Sequence, residues 1–393
     1  MLIDFSVTNY RSFRDRMTLS MVAASGGDPD DARVVVADER PAKPLRLLRS
    51  AAIYGPNGAG KSNLVKALEY MTDVVLHSRV AVGDQAVRRV PFRLDPAYLD
   101  VPTEFEVNIH DEGERYTYGF ALDSERVLEE WLYAGLPRTR LLFHREMDRV
   151  SFGASWKGDQ AALVQRTRPD ALLLSVAAQF NHFTAGQVWD WFNRRLWFVK
   201  VPNPYTIALL ARSADLQSAL PRFLDAADTG IVGLNIRPLR PNASSQDHYE
   251  VRTQRRVKDG SVVEFDLADD ESAGTQRLVE LARPWIDGLR TDAVVLADEF
   301  DINLHPRLSR FLLESWHEAG GKAQLILTTH NADLLSSDLL RRDQVWFVDK
   351  DKAQQTELYS LAEFRRPNGR GARATENHRA GYLAGRYGAV PVL

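Results

Sequence analysis

Short segments in the first part of the chain alternate hydrophobic and polar residues. Residues 3–7 show this alternation, and residues 17–21 show it again after the polar stretch "NYRSFRDR". It also flanks the turn "DEGE", over residues 105–109 and 116–120. Because successive side chains of a strand point to opposite faces, a period of two indicates half-buried strands. We therefore predict an antiparallel sheet that includes a hairpin around "DEGE".

Helical spacing marks other parts of the chain. Residues 25–44 are rich in Gly, Asp and Pro, and we expect them to be loose. After them, apolar residues recur every three or four positions from Leu64 to Val75, which predicts a helix. A helical pattern also covers residues 169–228. Another helix is predicted from about Thr275.

The last third of the chain contains strand patterns of a different kind. The runs "AVVLAD" and "QLILTTH" are continuously apolar, which is typical of buried parallel strands. Shorter strands are predicted around residues 249–257 and 261–267. Strands and helices together predict an α/β protein with a mixed core sheet.

Composition excludes several classes of protein. The 393 residues are 44% hydrophobic, enough for a sizeable core, and 50 Lys and Arg against 53 Asp and Glu give a net charge of -3. With 0 cysteines, disulfides and thiolate metal sites are excluded. The start "MLIDFSVTNYRSF" does not resemble a signal peptide, and no apolar run has the length of a membrane span. We expect a cytoplasmic protein without a membrane partner.

The stretch "GPNGAGKS", residues 55–62, lies between a short apolar run and the first predicted helix. It satisfies the P-loop (Walker A) pattern G-x-x-x-x-G-K-[ST], whose glycines let backbone N–H groups surround a polyphosphate. Lys61 is expected to reach the terminal phosphates, and Ser62 is expected to bind Mg²⁺. The predicted nucleotide-binding residues of this stretch are Gly55, Asn57, Gly58, Gly60, Lys61, Ser62 and Asn63.

An acidic pair follows the apolar run in "DAVVLADEFD". Asp298 is predicted to hold the Mg²⁺, and Glu299 to polarise the water that attacks the γ-phosphate, which makes Glu299 and Lys61 catalytic residues. Two carboxylates directly after a buried strand resemble a Walker B motif. A pair that only caps a helix is the alternative, and the P-loop upstream favours the first interpretation.

Two further motifs stand at the ends of predicted elements. "ESAGTQRLVEL" places Ser272 and Gly274 at the start of an amphipathic helix, a position suited to phosphate binding, although Ser-x-Gly before a helix also serves as an ordinary cap. "LILTTHNADLL" places His330 at the end of a buried strand, where it could bond the γ-phosphate or be purely structural. The order P-loop, Ser272, acidic pair and His330 favours the functional interpretation of both.

This order resembles that of ABC-type ATPases of the SMC, RecF and OLD-like branch. The resemblance covers nearly the whole chain, through "VTNYRSFRD", "YGPNGAGKSNLVKAL", "ESAGTQRL", "DEFDINLHP", "TTHNADLL" and "GRYGAVP". These segments look like the stand-alone bacterial AAA family ATP-binding proteins that are similar to the ATPase components of abortive-infection and other phage-defence pairs. The resemblance implies ATP as the nucleotide, a signature motif at Ser272 and Gly274 that contacts nucleotide held by a second subunit, a catalytic switch histidine at His330 and an intersubunit contact at Asp301.

The resemblance also predicts a fold and its parts. The fold would be a P-loop NTPase of the ABC-ATPase type, similar to SMC and RecF heads, with an antiparallel β subdomain and a helical lobe. Residues 1–155 would carry the P-loop and the β subdomain, 156–260 the helical lobe, and 261–393 the signature helix, Walker B motif, D-loop and switch histidine. The interval between Lys61 and Ser272 is far too short for a long coiled-coil arm. The glutamine that usually joins the two lobes is not assigned, and Gln179 is a candidate.

Three functions are compatible with these motifs. The first is an ATPase that dimerises around ATP, or forms a higher homo-oligomer, and controls a separate effector such as a toxin or nuclease in phage defence. The second is a RecF-like DNA-repair ATPase, for which "RTQRRVK" and "FRRPNGRGAR" could contact nucleic-acid phosphates. The third is an OLD-like nuclease with Asp349 and Asp351 as a metal pair, but residues 331–393 are too few for the additional domain. The first is favoured.

Overall fold

The computed structural model describes residues 1–26, 28, 30–40, 43–80, 89–135, 139–199, 213–227, 229–238, 249–365, 371–373 and 376–391. The strands are β1 (Leu2–Thr8), β2 (Met17–Ser20), β3 (Val34–Asp38), β4 (Leu45–Leu48), β5 (Ser50–Tyr54), β6 (Thr103–Asp111), β7 (Glu114–Leu122), β8 (Val127–Ala134), β9 (Arg140–Glu146), β10 (Arg149–Phe152), β11 (Leu196–Val199), β12 (Ile231–Pro238), β13 (Tyr249–Arg256), β14 (Val262–Asp266), β15 (Val294–Ala297), β16 (Gln324–Thr328), β17 (Val345–Lys350) and β18 (Thr356–Ser360). The α-helices are α1 (Lys61–His77), α2 (Gln160–Arg166), α3 (Leu173–Gln179), α4 (Phe183–Asp190), α5 (Ala214–Ala226), α6 (Ala273–Arg290), α7 (Pro306–Glu318) and α8 (His378–Leu383). Within these residues, no helix combines the length and the apolar character needed to cross a membrane.

A seven-stranded antiparallel sheet has the order β10-β9-β8-β7-β6-β1-β2. Phe5 of β1 pairs with Leu19 of β2, and the β6–β7 hairpin closes between Asp111 and Glu114. The predicted antiparallel sheet and its hairpin are therefore confirmed. The prediction of a loose segment over residues 25–44 is wrong in part, because it contains β3, which pairs with β4. The β-branched run at residues 34–36 favours a strand despite the surrounding Gly, Asp and Pro.

The second large sheet carries the motifs. Its order is β11-β15-β16-β5-β17-β18, in which β18 is antiparallel to β17 and the other neighbouring strands are parallel. The runs "AVVLAD" and "QLILTTH" form β15 and β16, which confirms the prediction of parallel strands. Because parallel strands end at the same edge, the residues that follow β5, β15 and β16 are brought together there. The predicted α/β class with a mixed core sheet is confirmed.

The mixed sheet is the middle layer of the molecule. Along β5, Ala51 and Ile53 belong to a hydrophobic cluster that includes α1 and the inner face of the antiparallel sheet. Ala52 and Tyr54 belong to a second cluster, with α5, α6 and α7. This alternation is that of a strand buried on both faces. The helix that begins at the P-loop and the helix that begins at Ser272 therefore lie on opposite faces of the sheet.

The predicted helical lobe, residues 156–260, contributes to both clusters. Helices α2, α3 and α4 pack into the first cluster, whereas Leu216, Leu220 and Leu224 of α5 pack into the second. Its described residues also include β12 and β13, which form a three-stranded sheet with β14. Within the described residues, the predicted lobe has no hydrophobic cluster of its own.

Candidate nucleotide-binding site

The P-loop connects β5 to α1 in a conformation that depends on glycine. Gly58 and Gly60 have φ values of 76° and 118°, which other residues rarely adopt. A Cβ atom on Gly60 would lie 2.3 Å from Oγ1 of Thr356, and one on Gly55 would lie 2.4 Å from the carbonyl oxygen of Val348. The glycines are therefore required by the curl of the loop and by its close contact with β17 and β18.

Lys61 is the first residue of α1, and its side chain is buried. Nζ donates hydrogen bonds to the carbonyl oxygens of Gly55 at 2.8 Å and Pro56 at 3.2 Å. Burial lowers the pKa of Lys61, and nearby carboxylates, that of Asp298 foremost, act in the opposite direction. Within the described residues, the hydrogen-bond partners of this ammonium are neutral carbonyl groups of its own loop. The P-loop thus holds a partly desolvated positive charge suited to an anionic ligand.

Asp298 and Glu299 follow β15 as predicted and are fixed by the neighbouring strand. The Thr328 hydroxyl, at the end of β16, donates to Oδ1 of Asp298 at 2.5 Å and accepts the Glu299 N–H at 2.8 Å. The Phe300 N–H donates to the Thr328 carbonyl at 3.0 Å. One residue of the neighbouring strand therefore holds three successive residues of the acidic turn. Sequence reasoning missed Thr328, which the motif "LILTTH" contains but does not single out.

The backbone of Glu299 is left-handed, with a φ of 47°. This conformation costs a non-glycine residue roughly 1–3 kcal/mol and persists only where surrounding contacts impose it. The Glu299 side chain is exposed, whereas that of Asp298 is half-buried. An open cavity of about 690 Å³ lies beside the pair and is also lined by Phe198, Ala273 and Asn303. The turn thus directs Glu299 towards a space that water can enter.

His330 lies close to these charged groups. Its pKa is lowered by partial burial and by the positive charge of Lys61, while Asp301 and Glu299 raise it. The net effect favours the neutral imidazole. The structure therefore brings Lys61, Glu299, Asp301 and His330 to one edge of the sheet, although the predicted role of His330 requires bound nucleotide.

The signature segment begins α6. Ser272 is the N-cap, and its hydroxyl accepts the Thr275 N–H at 3.2 Å and lies 3.0 Å from the Thr275 hydroxyl. Ser272 therefore caps the helix, and its exposed position leaves a second contact open. A Cβ on Gly274 would lie 2.8 Å from the carbonyl oxygen of Asn303, so this glycine allows α6 to approach the loop after Glu299. Farther along α6, buried Arg277 contacts the same turn.

Asn63 has a partner that the sequence did not predict. Its Nδ2 donates to Oγ of Ser12 at 2.8 Å, and the Ser12 and Thr356 hydroxyls lie 2.7 Å apart. The Thr356 hydroxyl also lies 2.6 Å from the carbonyl oxygen of Ala59, to which it donates. The loop at Ser12 and the start of β18 therefore hold the P-loop from behind. Of the other predicted P-loop residues, exposed Asn57 and Gly58 stand between β5 and α1, and half-buried Ser62 is the second residue of α1.

Three other residues that the sequence suggested lie elsewhere or have structural partners: Gln179, Asp349 and Asp351. Gln179 is the last residue of α3, and α3 packs on α1, α2 and α4. The segment that pairs with β15 on the side away from β16 is β11, to which Gln179 does not belong. Asp349 accepts the Ala389 N–H at 2.8 Å, and Asp351 accepts the Gln355 N–H at 3.0 Å, so both carboxylates organise the β17–β18 hairpin region. No group of three metal-binding side chains that could hold an ion was found within the described residues.

The two basic runs differ in how far they are described. In "RTQRRVK", Arg252 pairs with Glu250 at 2.7 Å and Arg255 with Glu271 at 2.8 Å, so part of its charge is neutralised within the chain. Half of the second run, "FRRPNGRGAR", lies outside the described residues, namely residues 366–370.

The residues of this edge fit Mg²⁺ and a nucleoside triphosphate. Lys61 offers a buried ammonium, and the loop around Gly58 has open space where a Cβ would stand. The Ser62 hydroxyl and the Asp298 carboxylate are the hard oxygen ligands that Mg²⁺ prefers. The donor set therefore suits a polyphosphate with a divalent ion.

The chain matches one family model and is similar to solved structures. A family model described as "AAA domain, putative AbiEii toxin, Type IV TA system" matches residues 50–337. Among solved structures, the SMC head bound to the C-winged helix domain of ScpA is similar, with 12% identity over 92% of this chain and 97% of that chain and a TM-score of 0.47. The SMC head domain from Thermotoga maritima shows 13% identity over 92% of this chain and 98% of that chain, with a TM-score of 0.45. No curated protein sequence matches the chain.

Proposed function

Because this chain belongs to the AAA-domain family that matches residues 50–337, we propose that it is an ATPase that hydrolyses ATP with Mg²⁺ and dimerises around the nucleotide. We further propose that it acts in the cytoplasm as a switch for a separate effector in defence against phage. The observation that carries the enzymatic part is the buried ammonium of Lys61, whose hydrogen bonds go to the carbonyls of Gly55 and Pro56.

Binding would rearrange the contacts of Lys61. The terminal phosphates offer this ammonium charged acceptors in place of neutral carbonyls, and charge-assisted hydrogen bonds are the stronger kind. Ser62 and Asp298 would hold the Mg²⁺, which supplies charge neutralisation to the phosphates. With Gly58 and Gly60 in these conformations, the loop would curl so that its backbone N–H groups face the same anion.

Hydrolysis would depend on the acidic turn. Glu299 would orient and polarise the attacking water, since its side chain faces the open cavity beside the site. His330 would contact the γ-phosphate as a neutral imidazole donor, in agreement with the direction of its pKa shift. Positioning and charge stabilisation provide most of the catalysis in phosphoryl transfer, and these residues can supply both.

Dimerisation would complete the site. Ser272 and Glu299 are exposed, and the loop that follows Glu299 includes exposed Ile302 and Asn303. This exposed surface beside the catalytic groups would be covered by a second copy in the working state. Ser272 would then contact nucleotide held by the P-loop of a second copy, with Asp301 near the contact between copies. The active species would be a dimer or a higher homo-oligomer.

The proposal that the protein controls a separate effector rests on the family to which the chain belongs. Its description names a toxin and a toxin–antitoxin system, and the matched segment is the ATPase part of this chain. We propose a separate toxin or nuclease as the regulated partner. The test is co-purification of the product of the neighbouring gene with Glu299→Gln and with Lys61→Ala. Nucleotide-dependent capture by the first variant only is expected, and equal capture by both would contradict a switch.

The ATPase activity is tested by Lys61→Ala. We expect loss of phosphate release and much weaker nucleotide binding, because the ammonium that would contact the phosphates is removed. Thermal unfolding should change little, because the hydrogen bonds of this ammonium are to carbonyls of its own loop. Lys322→Ala is the matched control, since Lys322 is an exposed lysine two residues before β16, whereas His330 follows the other end of that strand. Wild-type turnover in folded Lys61→Ala would overturn the proposal.

A further inference from the structure

Arg277 is a charged residue on the buried face of α6. It lies on the inward face of α6, between the cap Ser272 and the buried Leu278 and Leu281, and only 2% of its surface is exposed. Burying a guanidinium is unfavourable unless its charge and its donors are used. Arg277 therefore needs a specific partner.

The partners of Arg277 are in the acidic turn. Its Nη2 donates to the carbonyl oxygen of Glu299 at 3.2 Å and to that of Asp298 at 3.4 Å. Nη1 lies 3.6 Å from a carboxylate oxygen of Glu280, and Nη1 and Nε have no hydrogen-bond partner within the described residues. The guanidinium is thus committed mainly to the backbone of the two residues predicted to act on Mg²⁺ and water.

The turn at Glu299 needs such support. Its φ of 47° is held at the N–H by the Thr328 hydroxyl and at the carbonyl by Arg277. When the N–H on one side of Cα and the carbonyl on the other side are both held, the direction in which the side chain leaves the backbone is also fixed. Because α6 also touches Asn303 through Gly274, the helix that starts at Ser272 and the turn at Glu299 are joined at two points.

We propose that Arg277 is a positioning residue that holds Glu299 in its hydrolytic orientation and so joins the signature helix to the water-activating carboxylate. This inference rests on the proposed ATPase function. It predicts that loss of Arg277 slows the hydrolytic step and leaves nucleotide binding in place, as the loss of Glu299 itself would.

The test compares Arg277→Met with Arg49→Met. Arg49 is a matched control because it is also buried and donates to two backbone carbonyls, those of His317 and Gly320, but at the opposite edge of the mixed sheet. For Arg277→Met we expect kcat to fall at least about tenfold and KM to change less than about threefold. Arg277→Lys, which keeps the charge and one donor head group, should recover part of kcat. Arg49→Met should lower the thermal midpoint without lowering kcat.

A second readout separates positioning from general destabilisation. Single-turnover rates are measured for Arg277→Met, Glu299→Gln and the double variant. If Arg277 acts through Glu299, the double variant is no more than about threefold slower than Glu299→Gln alone. The proposal would be overturned if the rate losses of the two single variants multiplied in the double variant. It would also be overturned if the kcat of Arg277→Met equalled that of the wild type. Absence of ATPase activity in the wild type would instead refute the proposed function.

Discussion

The hydroxyl of Thr328 lies 2.5 Å from Oδ1 of Asp298, across the boundary between two neighbouring parallel strands. The same hydroxyl accepts the Glu299 N–H at 2.8 Å. Its single proton is therefore directed to the Asp298 carboxylate, because the other contact uses its lone pair. The strand that leads to His330 thus fixes the carboxylate of Asp298 and the backbone of Glu299.

Thr328→Val is expected to impair Mg²⁺ use. Valine has a similar shape, but it leaves the Glu299 N–H without its acceptor and Asp298 without its donor, at a cost of about 1–3 kcal/mol. The Mg²⁺ concentration for half-maximal ATPase activity should rise. Thr329→Val is the control, because the adjacent Thr329 is equally buried and its hydroxyl accepts the Asn331 N–H at 2.9 Å. Equal Mg²⁺ requirements in the two variants would contradict the assignment.

Gly274→Ala is expected to destabilise the protein and to reduce hydrolysis. The new methyl group would lie 2.8 Å from the carbonyl oxygen of Asn303 and would push α6 away from the loop after Glu299. Overpacking of this kind costs about 1–3 kcal/mol. Urea unfolding measures the change in the free energy of unfolding.

The control for that variant is Gly186→Ala. Gly186 lies within α4, and a Cβ there meets nothing within 4 Å. Alanine should therefore stabilise this helix by about 0.5–1 kcal/mol. If Gly274→Ala were as stable and as active as Gly186→Ala, the close contact between α6 and the loop at Asn303 would be wrong.

The charge of Lys61 is expected to be measurable at His330. Burial and the Lys61 ammonium lower the pKa of His330 from its ordinary value of 6.5, so removal of that ammonium in Lys61→Met should raise it. Above the lowered pKa the imidazole is neutral, and the variant should gain the proton at a higher pH than the wild type. An NMR titration of the histidine ring signals, assigned with His330→Gln, measures this difference.

His378 is the internal reference for the titration. Its pKa is lowered mainly by burial, and the charges that act on it are those of Glu376 and Arg342. The Lys61→Met substitution should leave the pKa of His378 in place. A wild-type pKa for His330 in the Lys61→Met variant would show that the two groups do not interact.

Ser12→Ala is expected to weaken nucleotide binding. Asn63 and Thr356 would lose the hydroxyl that joins them behind the P-loop, which should loosen the loop without removing a phosphate contact. The dissociation constant of a fluorescent ATP analogue should rise several-fold. Ser20→Ala provides the control, because Ser20 is a partly exposed serine at the end of β2. Unchanged affinity in Ser12→Ala would contradict a supporting role for this contact.

The sequence predicted the residues whose position follows from strand order. Lys61, Asp298, Glu299 and His330 each follow a run that forms a strand of the mixed sheet, so their convergence at one edge follows from parallel pairing. Thr328 was missed because an unremarked threonine inside an apolar run carries no signal until the neighbouring strand is known. The partner of Asn63 depends on contact between segments that are far apart in the sequence.

Arg277 and β3 show two other limits of prediction from the sequence. An arginine after a helix start is ordinarily expected at the surface, and only the approach of α6 to the acidic turn buries it. The run at residues 34–36 is short and is surrounded by residues that favour turns, so its pairing with β4 was not predicted. In both cases tertiary contacts override the local pattern.

The central claim is that Lys61 of one copy and Ser272 of another act on the same nucleotide. Lys61→Ala and Ser272→Arg should each be inactive alone. In a mixed dimer one site combines both lesions, while the other has an intact P-loop and an intact signature serine. Exchange between differently tagged copies must be verified, and a linked dimer with one intact composite site establishes that one site can turn over alone.

The direct measurement is ATP hydrolysis by the verified mixture of Lys61→Ala and Ser272→Arg copies. The account predicts that mixing restores activity, because an intact composite site is formed from one residue of each copy. If verified mixed dimers remain as inactive as either parent while the linked dimer hydrolyses ATP, Ser272 does not act on nucleotide held by the partner, and the shared site is wrong.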